Sequence, residues 1–200
     1  MTFDLRDPQF VSWLSPHAEW KRELIRHFAR KYQIPGFIET GTCWGTTVGA
    51  VLNTFQKIAS VEVSQPHYLF AVKKYGAESN VLLYLGSSSE LLSKMIADVK
   101  RFLRPPGTIL YWLDAHITGG TDINLGDQTA GELTTIDKLD KAGLVLIDDV
   151  KPRQDGGYDG PDAPITIPTG WRATFLSGVL VLDTGCYPDL RDLGDGTQIP

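Results

Sequence analysis

Hydrophobic and polar positions along the chain change their period in a regular way. Between residues 16 and 33, Trp20, Leu24, Ile25, Phe28 and Tyr32 recur at helical spacing, giving one apolar face. Ser15-Pro16 supplies an N-cap with proline at the first helical position, and Ile34-Pro35-Gly36 ends the segment. Short apolar runs then alternate with helix-length stretches. Residues 37–39, 58–63, 81–85, 109–113 and 144–147 read as strands; 46–56, 66–75, 88–103 and 130–141 read as helices. In the third of these helices Leu91, Leu92, Met95, Ile96, Val99 and Leu103 share a face. Five short strands separated by helices or helix-length crossovers predict a parallel sheet covered on both faces. Residues 151–170, rich in Gly, Pro and Asp, read as loop. Residues 172–176 and 179–183, split by Ser177-Gly178, read as an antiparallel hairpin. The predicted fold is α/β: a doubly wound, mostly parallel sheet with a C-terminal antiparallel hairpin and helices on both faces. Residues 1–35 are expected to form an N-terminal helical cover on a single domain spanning 36–200.

Composition narrows the function classes. The 200 residues are 42% hydrophobic and 22% charged, enough for one sizeable core and too apolar for a disordered chain. A formal net charge of −5 argues against a nucleic-acid or membrane-surface binder, which carries a basic face. The most basic stretch, residues 21–31, reads as the solvated side of a helix. Two cysteines, Cys43 and Cys186, exclude a disulfide-rich scaffold, though one bridge stays open. The acidic, proline-broken residues 1–8 do not read as a signal peptide. No apolar run approaches the roughly 18 residues of a membrane span, and the longest, 175–182, is strand-sized. The expectation is a soluble, cytoplasmic protein.

Candidate chemistry sits where the predicted strands end, since ligands of such sheets bind beyond the carboxyl edge. The first strand runs into Glu39-Thr40-Gly41-Thr42-Cys43-Trp44-Gly45. Gly41 permits a tight turn and Gly45 a close approach of the next helix to the strand. The dinucleotide fingerprint would need glycine at Cys43, which disfavours a nicotinamide-dependent oxidoreductase. Glu62, about 20 residues on, is placed either to bind ribose hydroxyls or to stand as a surface acid. Ser87 and Ser88 follow the third strand, to cap the next helix or to touch a purine edge. Asp114 ends the fourth strand and Asp148-Asp149 the fifth. Three carboxylates converging there would need a cation, and oxygen ligands suit Mg²⁺ or another hard divalent ion. The alternative is that Asp114 caps a loop and Asp148 pairs with Lys151 or Arg153.

Together, Glu39-x-Gly41-x-x-x-Gly45, Glu62, Gly86-Ser87-Ser88, Asp114 and Asp148-Asp149 resemble the class I S-adenosylmethionine-dependent methyltransferases, over about residues 37–183. The acids after strands 4 and 5 are similar to those of the divalent-metal-dependent O-methyltransferases of the catechol and macrolide-sugar types. The resemblance implies a Rossmann-like methyltransferase domain that moves a methyl group from S-adenosylmethionine to a hydroxyl of a small molecule. It implies that Glu39, Gly41, Thr42 and Gly45 line the cofactor, that Glu62 holds its ribose, and that Ser87 and Ser88 lie near the adenine. Asp114 would border the cofactor and join Asp148 and Asp149 on Mg²⁺. The lysine base of the catechol type is Ile117 here, so His116 becomes the candidate catalytic base, with a metal-ligand or Asp114-orienting role also open. Acceptor contacts are expected from 117–128 and 151–170. A small-molecule acceptor, no nucleic acid and no membrane follow as partners, with a homo-oligomer left open. A non-catalytic nucleotide-binding or interaction module on the same fold is the competing reading.

Overall fold

The computed structural model describes residues 16–105, 107–115, 128–161, 163–187 and 189–190. Helix α1 (Pro16–Lys31) leads into strand β1 (Gly36–Thr40), helix α2 (Thr46–Val51) and strand β2 (Lys57–Glu62). Helix α3 (Gln65–Tyr75), strand β3 (Val81–Leu85), helix α4 (Ser88–Phe102) and strand β4 (Ile109–Leu113) follow. Helix α5 (Gln128–Leu139) and strand β5 (Leu144–Ile147) complete the alternation. The sheet order is β3-β2-β1-β4-β5-β10-β9, where β9 is Arg172–Leu176 and β10 is Val179–Asp183. β1 to β5 are parallel, and β10 runs antiparallel to both β5 and β9. Ser177 (φ 43°) and Gly178 (φ 91°) both take left-handed backbone at the tip of the β9–β10 hairpin. That is what a two-residue turn between right-twisted strands requires.

The central strands are buried on both sides, and their alternating side chains divide between two cores. Phe37, Leu110 and Trp112 pack into one with Leu24, Ile25 and Phe28 of α1, and with Val48 and Val51 of α2. Ile38, Ile109, Tyr111 and Leu113 pack into the other with Leu92, Met95, Ile96 and Val99 of α4, and with Leu133 and Ile136 of α5. Continuous apolar runs such as Ile109–Leu113 are therefore strands wet on neither face. Among the described residues no helix is long and apolar enough to cross a membrane.

Two segments depart from the sequence expectation. Residues 46–56 do not stay helical: α2 stops at Val51, and Phe55 folds into the core, its ring 4.9 Å from that of Phe37. The Asn80 amide donates to the carbonyls of Leu52 (2.9 Å) and Phe55 (3.2 Å), satisfying the backbone that the shortened helix frees. Residues 151–170 are not all loop. Strands β6 (Lys151–Pro152), β7 (Tyr158–Asp159) and β8 (Pro164–Ile165) form a small antiparallel sheet. Two-residue ladders carry no readable periodicity, and the Asp155 carboxyl holds the turn by accepting from Gly157 N–H at 3.0 Å.

Candidate functional site at the carboxyl edge of the sheet

The loop after β1 is built by backbone rather than by bulk. Gly41 (φ 85°) and Thr42 both donate N–H to the Val61 carbonyl of β2, at 3.0 and 3.1 Å. A Cβ at Gly41 would lie 2.4 Å from the Asp114 carbonyl, so only glycine lets the ends of β1 and β4 approach this closely. Gly45 (φ 64°) is close not to the strand, as the sequence suggests, but to Tyr75 of α3: a Cβ there would meet its ring at 2.7 Å. The Tyr75 hydroxyl donates to the Gly45 carbonyl at 2.7 Å, which ties the loop to α3.

Cys43, where the dinucleotide pattern asks for glycine, takes a left-handed conformation (φ 48°). Such backbone costs a non-glycine residue on the order of 1 kcal/mol or more. The reward is a 2.7 Å hydrogen bond from its N–H to Glu62 Oε2. Ser64 N–H donates to the other oxygen, Oε1, at 2.8 Å. The Glu62 carboxyl, nearly buried, is thus clamped by two backbone donors at the end of β2 and is no free surface acid. Burial pushes the Cys43 thiol up to about 12, so it is no thiolate nucleophile at neutral pH.

Behind the loop runs a buried polar chain. Ser60 donates to Glu39 Oε2 at 2.6 Å, and the hydroxyls of Thr42 and Ser60 lie 2.6 Å apart. Burial raises the Glu39 carboxyl to about 8, with the nearby Asp114 and Glu62 charges adding to the shift. Glu39 is therefore neutral at pH 7. The Asp114 N–H donates to Thr40, to its carbonyl at 3.1 Å and its hydroxyl at 3.3 Å, which fixes where β4 ends. At the end of β3, Ser87 occupies the N-cap position of α4, but its hydroxyl makes no capping hydrogen bond. The Ser87 and Ser88 hydroxyls instead donate to Gln128 Oε1, at 3.0 and 3.4 Å, joining the starts of α4 and α5.

The end of β5 differs most from expectation. Asp148 pairs with neither Lys151 nor Arg153 but with Lys21 of α1, whose Nζ lies 2.5 Å from Asp148 Oδ1 and 2.8 Å from Asp149 Oδ1. Burial opposes the charge on Lys21, but the two carboxyls outweigh it and hold the ammonium above the usual lysine range. Burial likewise raises the Asp148 carboxyl, against the pull of that ammonium. Lys21 is thus not on the solvated side of its helix: its side chain is only 12% exposed. The expected set of Asp114, Asp148 and Asp149 does not fit a metal ion. Among the described residues no three His, Cys, Asp or Glu side chains gather as ligands, and an ammonium already bridges the acidic pair. His116 and nearly all of the expected acceptor loop 117–128 lie outside the described residues.

Sequence reasoning passes over Ser60 and Tyr75, takes Lys21 as solvated and gives Gln128 only a place in the acceptor loop. For Lys21 a signal exists: 21, 25 and 28 follow helical spacing, so Lys21 shares the face of the fully buried Ile25 and Phe28. A cavity of about 320 Å³ opens at the opposite edge of the sheet, beside Leu103, Gly107 and Thr108. Its charged groups satisfy one another, Lys100 meeting Asp140 at 2.8 Å, so it offers no comparable chemistry.

The chain shares a Rossmann-like α/β fold with solved methyltransferase structures. The chain superposes on the SAH-bound methyltransferase PaMTH1 of Podospora anserina with a TM-score of 0.56 and 17% identity, covering 88% of this chain and 84% of that one. It superposes on DesVI of Streptomyces venezuelae with a TM-score of 0.53 and 11% identity, covering 92% and 99%. No family model matches the sequence, and no curated protein matches it.

Proposed function

We infer that this chain is an S-adenosylmethionine-dependent methyltransferase acting on a hydroxyl of a small molecule. The observation that carries the reading is the Glu62 carboxyl, held by Cys43 and Ser64 N–H groups beside the left-handed turn Gly41–Gly45. A carboxyl fixed in this way is ready to accept from a vicinal diol such as ribose without reorganising. Gly41 lets the ends of β1 and β4 meet, which sets the turn and Glu62 beside Asp114 at the edge where ligands of such sheets bind. S-adenosylmethionine, when bound, would supply an electrophilic methyl group on a sulfonium cation.

The protein's part is then position and charge. Glu62 fixes the nucleoside end, and Gly41, Thr42 and Gly45 form the wall beneath it. Asp114 and Glu62 favour a positively charged ligand, while Glu39, neutral at pH 7, keeps the turn from becoming more acidic. Ser87 and Ser88 stand at the β3 end, suited to a purine edge, with Gln128 orienting their hydroxyls. His116, two residues beyond Asp114, is the proposed acceptor of the hydroxyl proton. No divalent ion enters this mechanism, because the residues at the β5 end do not fit one.

Calorimetric titration with S-adenosylhomocysteine tests the reading. Micromolar binding is expected, weakened about tenfold or more by Glu62→Gln, which forfeits a charge-assisted contact. Absence of both heat and thermal stabilisation with the wild-type chain would sink it.

A further inference from the structure

Lys21 comes from the first described helix, yet its ammonium lies between two carboxyls at the far end of β5. Asp148 Oδ1 receives both this ammonium, at 2.5 Å, and the N–H of Asp149, at 2.7 Å. Asp149 takes left-handed backbone (φ 53°), and its own Oδ1 meets the same Nζ at 2.8 Å. One cation thus spans both side chains. We propose that Lys21 is the resident counter-cation of the Asp148–Asp149 pair, doing there what a divalent ion would otherwise do and excluding such an ion from this strand end.

Three features support the assignment. The helix that carries Lys21 cannot withdraw, because Leu24, Ile25 and Phe28 anchor it in the core with no exposed surface. Asp148 is itself only 7% exposed, so a departing ammonium would leave a nearly buried carboxylate unpaired, which is costly. A divalent ion bound by the same oxygens would sit within a few ångströms of the ammonium, and like charges at that distance repel strongly in a partly buried site. The inference concerns the cation alone and stands apart from the methyl-transfer reading.

Titration of the full chain with Mn²⁺, followed by the electron paramagnetic resonance signal of the free ion, tests it. The wild type and Lys21→Arg, which keeps the charge, are expected to leave millimolar Mn²⁺ free. Lys21→Met is expected to bind one Mn²⁺ per chain at least about tenfold more tightly, a difference of about 1.4 kcal/mol. Adding Asp148→Asn to Lys21→Met should abolish that gain. Circular dichroism melts establish that each variant is folded. Stoichiometric Mn²⁺ binding by the wild type that disappears in Asp148→Asn would overturn the proposal. So would a folded Lys21→Met chain that binds Mn²⁺ no better than the wild type. Should Lys21→Met fail to fold, the comparison of wild type, Lys21→Arg and Asp148→Asn still decides. Calorimetry with S-adenosylhomocysteine on the same samples reads the methyltransferase assignment separately.

Discussion

At Glu39 a carboxyl is carried into a place with almost no water, where the Ser60 and Thr47 side chains meet it. Burial raises it from the usual 4.5 to about 8, so the folded chain keeps a proton that the unfolded chain has released. The consequence for stability has a definite sign. Well below 4.5 both states are protonated and Glu39 adds no pH dependence. Between 4.5 and 8 the unfolded state ionises while the folded state does not, so stability falls as pH rises. Above 8 the loss is complete and constant. Glu39→Gln keeps an oxygen for the Ser60 hydroxyl and removes the titration. Denaturation at several pH values should show the variant gaining on the wild type across this window, by up to about 1.4 kcal/mol per pH unit. A difference independent of pH would contradict the assignment of a neutral Glu39. Cys43 obeys a related logic, since its strained backbone is tolerated where its N–H meets Glu62.

The β1–α2 turn owes its shape to an element distant in sequence. Gly45 and Gly49 of α2 leave room for the Tyr75 ring and hydroxyl at the end of α3: a Cβ at Gly49 would lie 2.4 Å from that hydroxyl. The hydroxyl in turn holds the Gly45 carbonyl at 2.7 Å. Tyr75→Phe should lower stability by about 1 kcal/mol, the worth of one buried hydrogen bond, in urea denaturation. It should also weaken S-adenosylhomocysteine binding, because the turn would no longer be held in one conformation. Unchanged binding in a destabilised variant would mean that Tyr75 serves the fold alone. Glu62 and the turn glycines were legible in the sequence because their spacing follows a strand–turn–helix–strand unit. Tyr75 was not, because a buried helix-end tyrosine has no local mark that distinguishes it from ordinary core.

For the molecule as a whole, the consequential feature is that α1 belongs to the core. Leu24, Ile25 and Phe28 pack in one cluster with Phe37 of β1, Leu110 of β4 and Leu144 of β5. Phe28→Ala should therefore cost about 3–5 kcal/mol, as for other fully buried aromatic side chains. Fluorescence and circular dichroism should report a single coincident unfolding transition. A loss well under 1 kcal/mol would mean that α1 is a separable cover. Packed in this way, α1 also delivers Lys21 to the β5 end and so sets the charge of the candidate site.

The five parallel strands, the C-terminal hairpin and the carboxylates at the strand ends are properties of the sequence alone. Apolar runs of four to six residues have to be buried on both faces, and alternation with helices leaves a parallel sheet as the way to do it. Glu39, Glu62, Asp114 and Asp148 fall at strand ends by that same arithmetic. What cancels each charge was left to the tertiary structure: a proton on Glu39, backbone N–H groups on Glu62, a lysine 127 positions away on Asp148. Electrostatic partners meet through space, and spacing along the chain says where a charge will stand without saying what will face it.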